Sequence, residues 1–305
     1  MTAYGLLKLG MIVLLGAGIL LGAGAVWSRA LRRLFVVWAA AVSAVGWVFV
    51  QSHYIEPNWI QIERVKISDD RLHKALKGVR IVHITDIHLN DGLGSREQAM
   101  IEKVNALEPD IIFFTGDIID DLTQVKPAFE LLQRLEAGIG IYAVPGNTDH
   151  IVMDSGSFKR VFSPAGINVL VNETRRLGLP NGHALWIVGV DDPKYGHDKL
   201  QEALKGVPRN EPAIMLAHNP DIFQEAAEAG IPVILAGDTH GGQVGIDALI
   251  RLSDYANRTP YMRGLFKMNG TQMYVNRGIG MKTLPIRFLC RPEIAVIEFV
   301  DGKET

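Results

Sequence analysis

Residues 79–90, VRIVHITDIHLN, join a predicted strand to two side chains that can bind a metal ion. Residues 79–85 alternate in polarity and are rich in β-branched side chains, which predicts a buried strand. The strand runs into Asp86-Ile87-His88. Residues i and i+2 of an extended chain point to the same side, so Asp86 and His88 are expected to face one cation. Short Asp-x-His pairs also occur on ordinary protein surfaces, so this pair alone does not establish a metal site.

The composition limits the possible classes of protein. With 305 residues, the chain can hold one large domain and an appendage. Its formal net charge of −2 gives no electrostatic case for nucleic acid as a partner. The single cysteine, Cys290, excludes an intramolecular disulfide and a thiolate metal cluster. The chain is 48% hydrophobic, and the excess lies at the N-terminus.

The N-terminal region predicts membrane attachment. Residues 9–28 and 34–55 carry no acidic or basic charge, and about 20 helical residues cross a bilayer. We expect two transmembrane helices, at about 9–28 and 34–53, joined by the basic turn SRALRR. The positive-inside rule places this turn in the cytoplasm. Residues 1–55 are then a multi-pass hairpin, and residues 56–305 form a domain on the outer, periplasmic or extracellular face of the membrane. The alternative is a signal peptide cleaved near Ala23-Gly24-Ala25, but the apolar run is long for one and a second run follows.

From about residue 53 the pattern becomes that of a globular α/β domain. Pro, Gly and Asn separate the predicted elements, and Asn269-Gly270 predicts a hairpin turn. The alternation of strands and helices favours a largely parallel sheet, with ligands at the carboxyl ends of its strands. Predicted strands span residues 59–67, 79–85, 111–115, 139–144, 168–171, 184–190, 212–216, 233–236, 272–276 and 293–299. Predicted helices span residues 95–107, with Ser95 as N-cap, 126–136 and 222–229.

Five of these strands end in polar side chains that can bind metal. They are Asp86 and His88, Asp117, Asn147, His218, and Asp238 with His240. A mixture of carboxylate, imidazole and amide ligands suits Mn, Fe or Zn rather than copper or an iron–sulfur cluster. Seven ligands are too many for one open catalytic ion and fit two divalent ions that share a bridging carboxylate. Two such ions suit in-line displacement at phosphorus.

The order D-x-H, G-D-x-x-D, G-N, H and G-x-x-H-G-G resembles the calcineurin-like metallophosphoesterase superfamily over nearly all of residues 80–300. Residues 274–294 resemble a membrane-associated or exported bacterial branch, which implies that residues 56–305 are the catalytic domain and that the membrane is that of a bacterial cell. The resemblance implies an α/β (α+β) four-layer sandwich of two mixed β-sheets flanked by helices. It also implies roles for individual residues: Asp86, His88 and His240 at the first metal, Asp117 as the bridge, Asn147 and His218 at the second metal, Asp120 orienting a ligand, and a metal-bound hydroxide as nucleophile.

Two positions depart from the family pattern. Asp238 stands where the family usually has a histidine that binds the second metal. Asp238 and His240 are expected to share a face of extended chain, as residues i and i+2 do, so we expect Asp238 to bind in place of that histidine. The extra negative charge of Asp238 favours Mn or Fe over Zn. Thr148 stands where many members have a histidine that contacts the phosphate and protonates the leaving oxygen. His150 is the candidate replacement acid. Without an acid, phosphodiesters with good leaving groups should be preferred to alkyl monoesters.

Other polar residues have structural interpretations. Arg277 could bind a substrate phosphate or form a structural ion pair. His83 is expected to pack in the sheet, and Asp191 and Asp192 to cap a turn. Residues 241–243, Gly-Gly-Gln, lack the lysine and spacing of a P-loop and are expected to form a tight turn that supports His240.

The sequence therefore predicts a membrane-anchored dimetal phosphoesterase. Its expected partners are the lipid bilayer and a phosphorylated small-molecule or lipid substrate, an ester or anhydride that is lipid-linked or part of the envelope. One alternative is a pyrophosphatase of a nucleotide-activated glycolipid, whose site would face the cytoplasm. An alternative of another class is a catalytically weak metal-binding membrane protein, which the departures at Thr148 and Asp238 keep open.

Overall fold

Two six-stranded mixed sheets stack face to face and carry helices on their outer faces. The computed structural model describes residues 29–246 and 259–302. Side chains from both sheets, among them Phe113, Leu185 and Leu216, form one buried core between them. A second core lies under the helices of the first sheet, and a third lies under those of the other sheet. This confirms the predicted four-layer architecture.

The first sheet contains the strand that leads to Asp86 and His88. Its strand order is β1-β12-β2-β3-β4-β5, and all neighbours are parallel except β12 and β2. β2 and β3 are buried along their whole length, and apart from His83 in β2 their residues are those of strands covered on both faces. The strands are β1 (Gln61–Ser68), β2 (Ile81–Ile84), β3 (Ile111–Thr115), β4 (Gly140–Val144), β5 (Ile167–Val169) and β12 (Glu293–Val300).

The second sheet has the order β10-β11-β9-β8-β7-β6, with antiparallel pairs at both edges. Asn269 and Gly270 connect β10 to β11 with φ values of 50° and 83°, as a type I′ hairpin turn requires. The predicted hairpin turn is confirmed. The strands are β6 (Glu173–Gly178), β7 (Ala184–Gly189), β8 (Ala213–Leu216), β9 (Val233–Ala236), β10 (Gly264–Met268) and β11 (Thr271–Val275).

The helices include several that the sequence did not predict. Asp69 and Asp154 cap two of these, each accepting a hydrogen bond from the backbone N–H three residues later. The predicted N-cap Ser95 is wrong: Gly94 is the N-cap, and its N–H donates to the Glu97 carboxylate at 3.0 Å. The helices are α1 (Arg29–Val50), α2 (Asp70–Ala75), α3 (Ser95–Ala106), α4 (Val125–Gln133), α5 (Asn147–Val152), α6 (Ser155–Phe162), α7 (Leu200–Ala203) and α8 (Phe223–Glu228).

The apolar helix α1 includes residues that precede the predicted segment 34–53. Arg29, Arg32 and Arg33 were predicted to lie in a turn, but all three lie in α1, because Arg, Leu and Ala favour helix and neither Gly nor Pro interrupts them. A π-helical turn, Gln51–Ile55, continues α1. The helical stretch Arg29–Asn58 is long and apolar enough to cross a membrane, by length and composition. The other predicted segment, residues 9–28, lies outside the described residues, so the hairpin and the boundary at residue 55 stay predictions.

Candidate metal centre

Five of the seven predicted ligands lie in left-handed backbone turns after their strands. β2 ends at Ile84, and Asp86 and His88 have φ values of 51° and 48°. Asp238 and His240, after β9, have φ values of 68° and 52°. The extended i, i+2 geometry that we expected for both pairs is therefore wrong. Non-glycine residues rarely adopt positive φ, and such strain persists where surrounding contacts hold it.

Hydrogen bonds to the neighbouring loop hold the first of these turns. The N–H of Asp86 donates to the backbone carbonyl of Gly116 at 3.0 Å. The N–H of His88 donates to the backbone carbonyl of Asp117 at 3.0 Å. Two adjacent strand ends thus fix each other, and they bring the Asp86, His88 and Asp117 side chains to one place.

Asp86, His88 and His240 form the first group of possible metal ligands. The Asp86 Oδ1 atom lies 3.3 Å from His240 Nε2 and 3.7 Å from His88 Nε2. The two Nε2 atoms are 3.0 Å apart. All three side chains are buried. Asp86 Oδ1 has no hydrogen-bond partner among the described residues, although buried polar atoms normally have one. A cation between these atoms would satisfy it.

Asp117 connects this group to a second one. Its Oδ2 atom lies 3.3 Å from His88 Nε2 and 3.4 Å from His218 Nε2. Asp86, Asp117 and His218 can also offer three ligand atoms that lie within 4.8 Å of one another. Asp117 thus occupies the position between two ligand groups that a bridging carboxylate requires.

Asn147 and Asp238 lie beside the second group. The Asn147 Nδ2 atom donates to Asp238 Oδ1 at 2.7 Å and lies 3.3 Å from His218 Nε2, while the Asn147 Oδ1 atom accepts from Lys194 Nζ at 3.0 Å. An amide binds a metal ion through its oxygen, so Asn147 would bind one with its terminal amide turned by 180°. Asp238 Oδ1 is also 3.5 Å from His218 Nε2. Asp238 and His240 therefore lie in different groups, although two residues separate them in the sequence. The structure brings all seven predicted ligands into one continuous cluster.

The spacing within the cluster fits bound metal ions. Metal bonds of about 2.0–2.2 Å to N and O atoms place neighbouring ligand atoms roughly 3.0–3.6 Å apart. The distances within both groups lie in or close to this range. Together with the orphaned Asp86 oxygen, the carboxylate and imidazole set fits two divalent ions.

Hydrogen bonds from outside the cluster orient two of these ligands, His88 and His218. The Oδ1 atom of Asp120, which was predicted to support a ligand, accepts from the Nδ1–H group of His88 at 2.7 Å. Lys282 Nζ donates to the same oxygen at 2.8 Å. The Nδ1 atom of His218 lies 2.7 Å from the carbonyl oxygen of Thr115. Each Nδ1 contact leaves Nε2 directed into the cluster.

Asp117 is held by the two residues that follow Asn147. Thr148 donates its N–H to Asp117 Oδ1 at 2.7 Å and its hydroxyl to Oδ2 at 2.8 Å. The buried Asp149 carboxylate accepts from the N–H groups of Asp117, Ile118, Ile119 and Gly146 at 2.8–3.2 Å. Thr148 thus supports the bridging carboxylate, and Asp149 fixes the loop that carries it.

The three histidines of the cluster differ in their pKa values. Burial opposes protonation of all three, but the Asp117, Asp120 and Asp86 carboxylates raise the pKa of His88 to about 9. Asp117 and Asp238 raise the pKa of His218 well above its usual value. Burial dominates at His240 and lowers its pKa to about 4. Despite burial, His218 and His88 hold the pKa of Asp117 well below its usual range.

His150, the candidate acid, is engaged by another group. Its Nε2 atom lies 2.6 Å from Asp191 Oδ1, and its ring stacks on His197 with centroids 4.4 Å apart. Asp192 caps the turn at 193–195 as predicted, whereas the principal side-chain partner of Asp191 is His150 rather than a turn. His150 as a catalytic acid stays a prediction.

The remaining candidates make structural contacts. Arg277 forms an ion pair with Glu293 and lies 3.6 Å from Glu63, which supports its structural interpretation. His83 is buried in the sheet and lies 2.8 Å from the Thr115 hydroxyl. Residues 241–243 turn tightly after His240, with φ of 58° at Gly241.

Sequence reasoning missed three polar residues beside the cluster. They are Asp149, Lys282 and Lys194, whose Nζ donates to Asn147 Oδ1 at 3.0 Å. Asp149 had a signal, because it lies at the third helical position after Gly146, where a carboxylate caps the helix start. The two lysines lie in loops that are distant along the chain from the residues they contact, and no local sequence pattern indicates those contacts.

Comparison with known proteins agrees with this geometry. The family model of calcineurin-like phosphoesterases matches residues 79–242. An uncharacterized metallophosphoesterase, YkuE of Bacillus subtilis, is 31% identical over 87% of this chain and 94% of its own length. The phosphodiesterase YaeI of Escherichia coli is 28% identical over 88% of this chain and 99% of its own. A transmembrane protein with a metallophosphoesterase domain from Danio rerio is 31% identical over 86% of this chain and 62% of its own.

The motif order, the ligand cluster and these matches lead to one assignment. The chain is a metal-dependent phosphoester hydrolase and belongs to the calcineurin-like phosphoesterase family.

Proposed function

We propose that this protein is a membrane-anchored phosphodiesterase that works with two divalent metal ions. The observation that carries the proposal is the position of Asp117 Oδ2, within 3.4 Å of an imidazole nitrogen from each ligand group. Two bound ions would supply the nucleophile by lowering the pKa of water and would clamp the attacking and leaving oxygens at phosphorus. Asp117 holds the two halves of the site together.

The choice of metal follows from the ligand set. Asp238 adds a third carboxylate to Asp86 and Asp117, and all three have an oxygen within 3.7 Å of a histidine nitrogen. Carboxylate oxygens are hard ligands, and they favour Mn or Fe more than a histidine in the same place would. We therefore infer that Mn or Fe supports more activity than Zn.

The substrate preference follows from the partners of Thr148 and His150. Thr148 donates its hydroxyl to Asp117, and His150 is paired with Asp191. A threonine hydroxyl does not give up a proton at neutral pH, and the Nε2 atom of His150 is already bound to Asp191. We therefore infer that the enzyme prefers phosphodiesters whose leaving group is stable without a proton, such as a phenol or a phosphate, to alkyl monoesters.

Membrane attachment is supported by α1 and by a relative. No side chain of α1 is buried by the described part of the chain, and the helix is apolar throughout its later turns. The Danio rerio relative is named as a transmembrane protein. We infer a multi-pass anchor with the domain on the outer face. The test is a reporter protein that works only in the cytoplasm, fused after Thr305. Activity of this reporter would contradict the orientation.

Activity assays on matched variants test the enzyme directly. Metal-free protein is loaded with Mn, Fe, Co or Zn and given bis(p-nitrophenyl) phosphate, p-nitrophenyl phosphate and an alkyl phosphate. Asp117→Asn should lower kcat by on the order of 10³-fold, because the bridge loses its charge. Asp121→Asn is the control, since Asp121 is exposed and Asn can cap the same turn. Activity of Asp117→Asn within a few-fold of the wild type would contradict the proposal.

A further inference from the structure

Four exposed side chains cluster where α1 enters the domain. Tyr54, Ile55, Trp59 and Leu289 are 58%, 38%, 51% and 63% exposed, and we call them the juxtamembrane surface. Three of them follow α1 directly. Leu289 is brought to them by its neighbours, because the N–H of Arg287 donates to the Ser52 carbonyl at 2.9 Å and the N–H of Cys290 donates to the buried Glu56 carboxylate.

The chemistry of this surface suits the boundary between lipid headgroups and acyl chains. Trp and Tyr combine an apolar ring with a polar group, and they are enriched at that depth. The guanidinium of Arg291 lies over the Trp59 ring at 3.5 Å, so a basic group accompanies the apolar ones. The surface is continuous with α1, which is itself apolar and uncovered by the domain. This continuity identifies the bilayer as its occupant.

The sheet topology places the surface at the same end of the domain as the metal centre. β1 begins two residues after Trp59 and runs parallel to β12. β12 runs antiparallel to β2, so its first residues lie beside the end of β2, which leads to Asp86. The chain therefore enters the domain at the end of the sheets where the ligands lie.

The residues beside Leu289 contact the backbone of the metal centre. Cys290 Sγ lies 3.3 Å from the carbonyl oxygen of His240, and its side chain is fully buried. The buried Arg287 guanidinium donates to the Gly280 carbonyl at 2.6 Å, and the N–H of Gly280 donates to the Asp86 carbonyl at 2.6 Å. The exposed Leu289 is thus next to Cys290 and two positions from Arg287, whose contacts lead to the backbone of the predicted ligands His240 and Asp86.

We propose that the juxtamembrane surface lies in the headgroup layer of the bilayer and holds the metal centre there, and that the substrate is a phosphodiester of a membrane lipid. The proposal rests on the proposed phosphodiesterase activity and membrane attachment. A substrate that stays in the bilayer then presents its phosphate at the depth of the site, whereas a water-soluble phosphodiester gains nothing from this placement.

An environment-sensitive probe tests the location of the surface. Cys290 is the single cysteine and is fully buried, so a thiol introduced by Leu289→Cys can be labelled selectively with a nitrobenzoxadiazole dye. Asn210→Cys is the control, because residue 210 is exposed and precedes β8 at the end of the sheets opposite the metal centre. The protein is reconstituted into phosphatidylethanolamine–phosphatidylglycerol vesicles, and flotation first establishes that it is attached.

The expected result is a blue-shifted emission at position 289 that spin-labelled lipid quenches, and neither effect at position 210. If the protein floats but both probes report water, the surface is not in the headgroup layer and the proposal is overturned. If the protein does not float, the proposed attachment itself fails, and the proposal falls with it.

Kinetics on two substrates test whether the juxtamembrane surface promotes hydrolysis of a lipid phosphodiester. Leu289→Glu should lower kcat/KM by on the order of tenfold for a phosphodiester lipid in vesicles, since burying a leucine-sized apolar group favours partitioning by about that factor or more. It should leave bis(p-nitrophenyl) phosphate hydrolysis unchanged, and Leu289→Trp should restore the lipid activity. Asn210→Glu adds the same charge and should affect neither substrate.

Equal losses on both substrates would mean that Leu289→Glu disturbs Cys290 and His240 rather than membrane contact, which would overturn the proposal. No loss on either substrate would overturn it as well. Activity on the soluble diester with none on any lipid phosphodiester would leave the proposed enzyme standing and refute the lipid substrate.

Discussion

Metal binding to the metal-free protein should release about two protons at pH 7. A metal ion needs neutral imidazole nitrogens, so any proton on a ligating histidine must leave when the ion binds. His88 has a pKa of about 9 and is about 99% protonated at pH 7. His218 has a pKa well above its usual value and is protonated as well. His240, with a pKa of about 4, is neutral and contributes nothing.

Asp149 adds a smaller contribution. Burial and the nearby Asp117 carboxylate raise its pKa to about 7, so it is roughly half protonated at neutral pH. Cations bound to Asp117 would offset that repulsion and lower the Asp149 pKa, releasing up to about half a proton more. The expected total lies between about two and two and a half protons per fully loaded chain.

Calorimetry in buffers with different ionisation enthalpies measures this number, as the slope of the apparent binding enthalpy against the ionisation enthalpy. Affinity should rise with pH through neutrality, because protons on His88 and His218 compete with the metal, and it should rise less steeply above about pH 9, where His88 is neutral in the free protein. His218→Ala should reduce the release by about one proton, and His240→Ala should leave it nearly unchanged. Release of half a proton or less by the wild type would refute the charge distribution described for the site.

Three further results are expected. Gly237→Ala should weaken binding of the first metal, because a Cβ there would lie 2.4 Å from Asp86 Oδ2, and elemental analysis after dialysis should show less bound metal. Gly178→Ala, which has open space around its Cβ, is the control and should keep full metal content. Thr148→His should raise the rate on alkyl phosphates relative to aryl phosphates, by on the order of tenfold or more, if a missing acid limits alkyl substrates; an unchanged rate ratio would contradict that. Asp149→Asn should lower the free energy of unfolding by on the order of 3 kcal/mol, because an amide cannot accept all four backbone N–H groups; a urea denaturation curve that matches the wild type would argue against its role.

The strands that lead to the site were predictable, because each is a short apolar run that ends in Gly, Asp or His. β2, β3 and β9 appear within three residues of their predicted bounds. The helices α2 and α6 were missed. They span only six and eight residues, and their caps at Asp69 and Asp154 resemble ordinary turn residues.

The ligands were predicted, but the reason given for their convergence was wrong. Asp86 and His88 do not share the face of a strand. They meet because left-handed turns direct them inward, and backbone hydrogen bonds to Gly116 and Asp117 hold those turns. Such turns depend on a partner that is about 30 residues away in the sequence, so a local pattern cannot predict them.

The lysines show the same limit more strongly. Lys194 and Lys282 reach Asn147 and Asp120 from loops that are 47 and 162 residues away along the chain. Nothing in their local sequence distinguishes them from solvated surface lysines. Only the packing of the two sheets brings them to the ligands.

Metal content measured per chain tests the central claim most directly. Purified protein, stripped of metal, loaded with Mn or Fe and freed of excess ion, should contain two metal ions per chain by elemental mass spectrometry, because the seven ligands form two groups joined by Asp117. A saturating content of one ion or none, in protein that remains folded, would contradict the dimetal site.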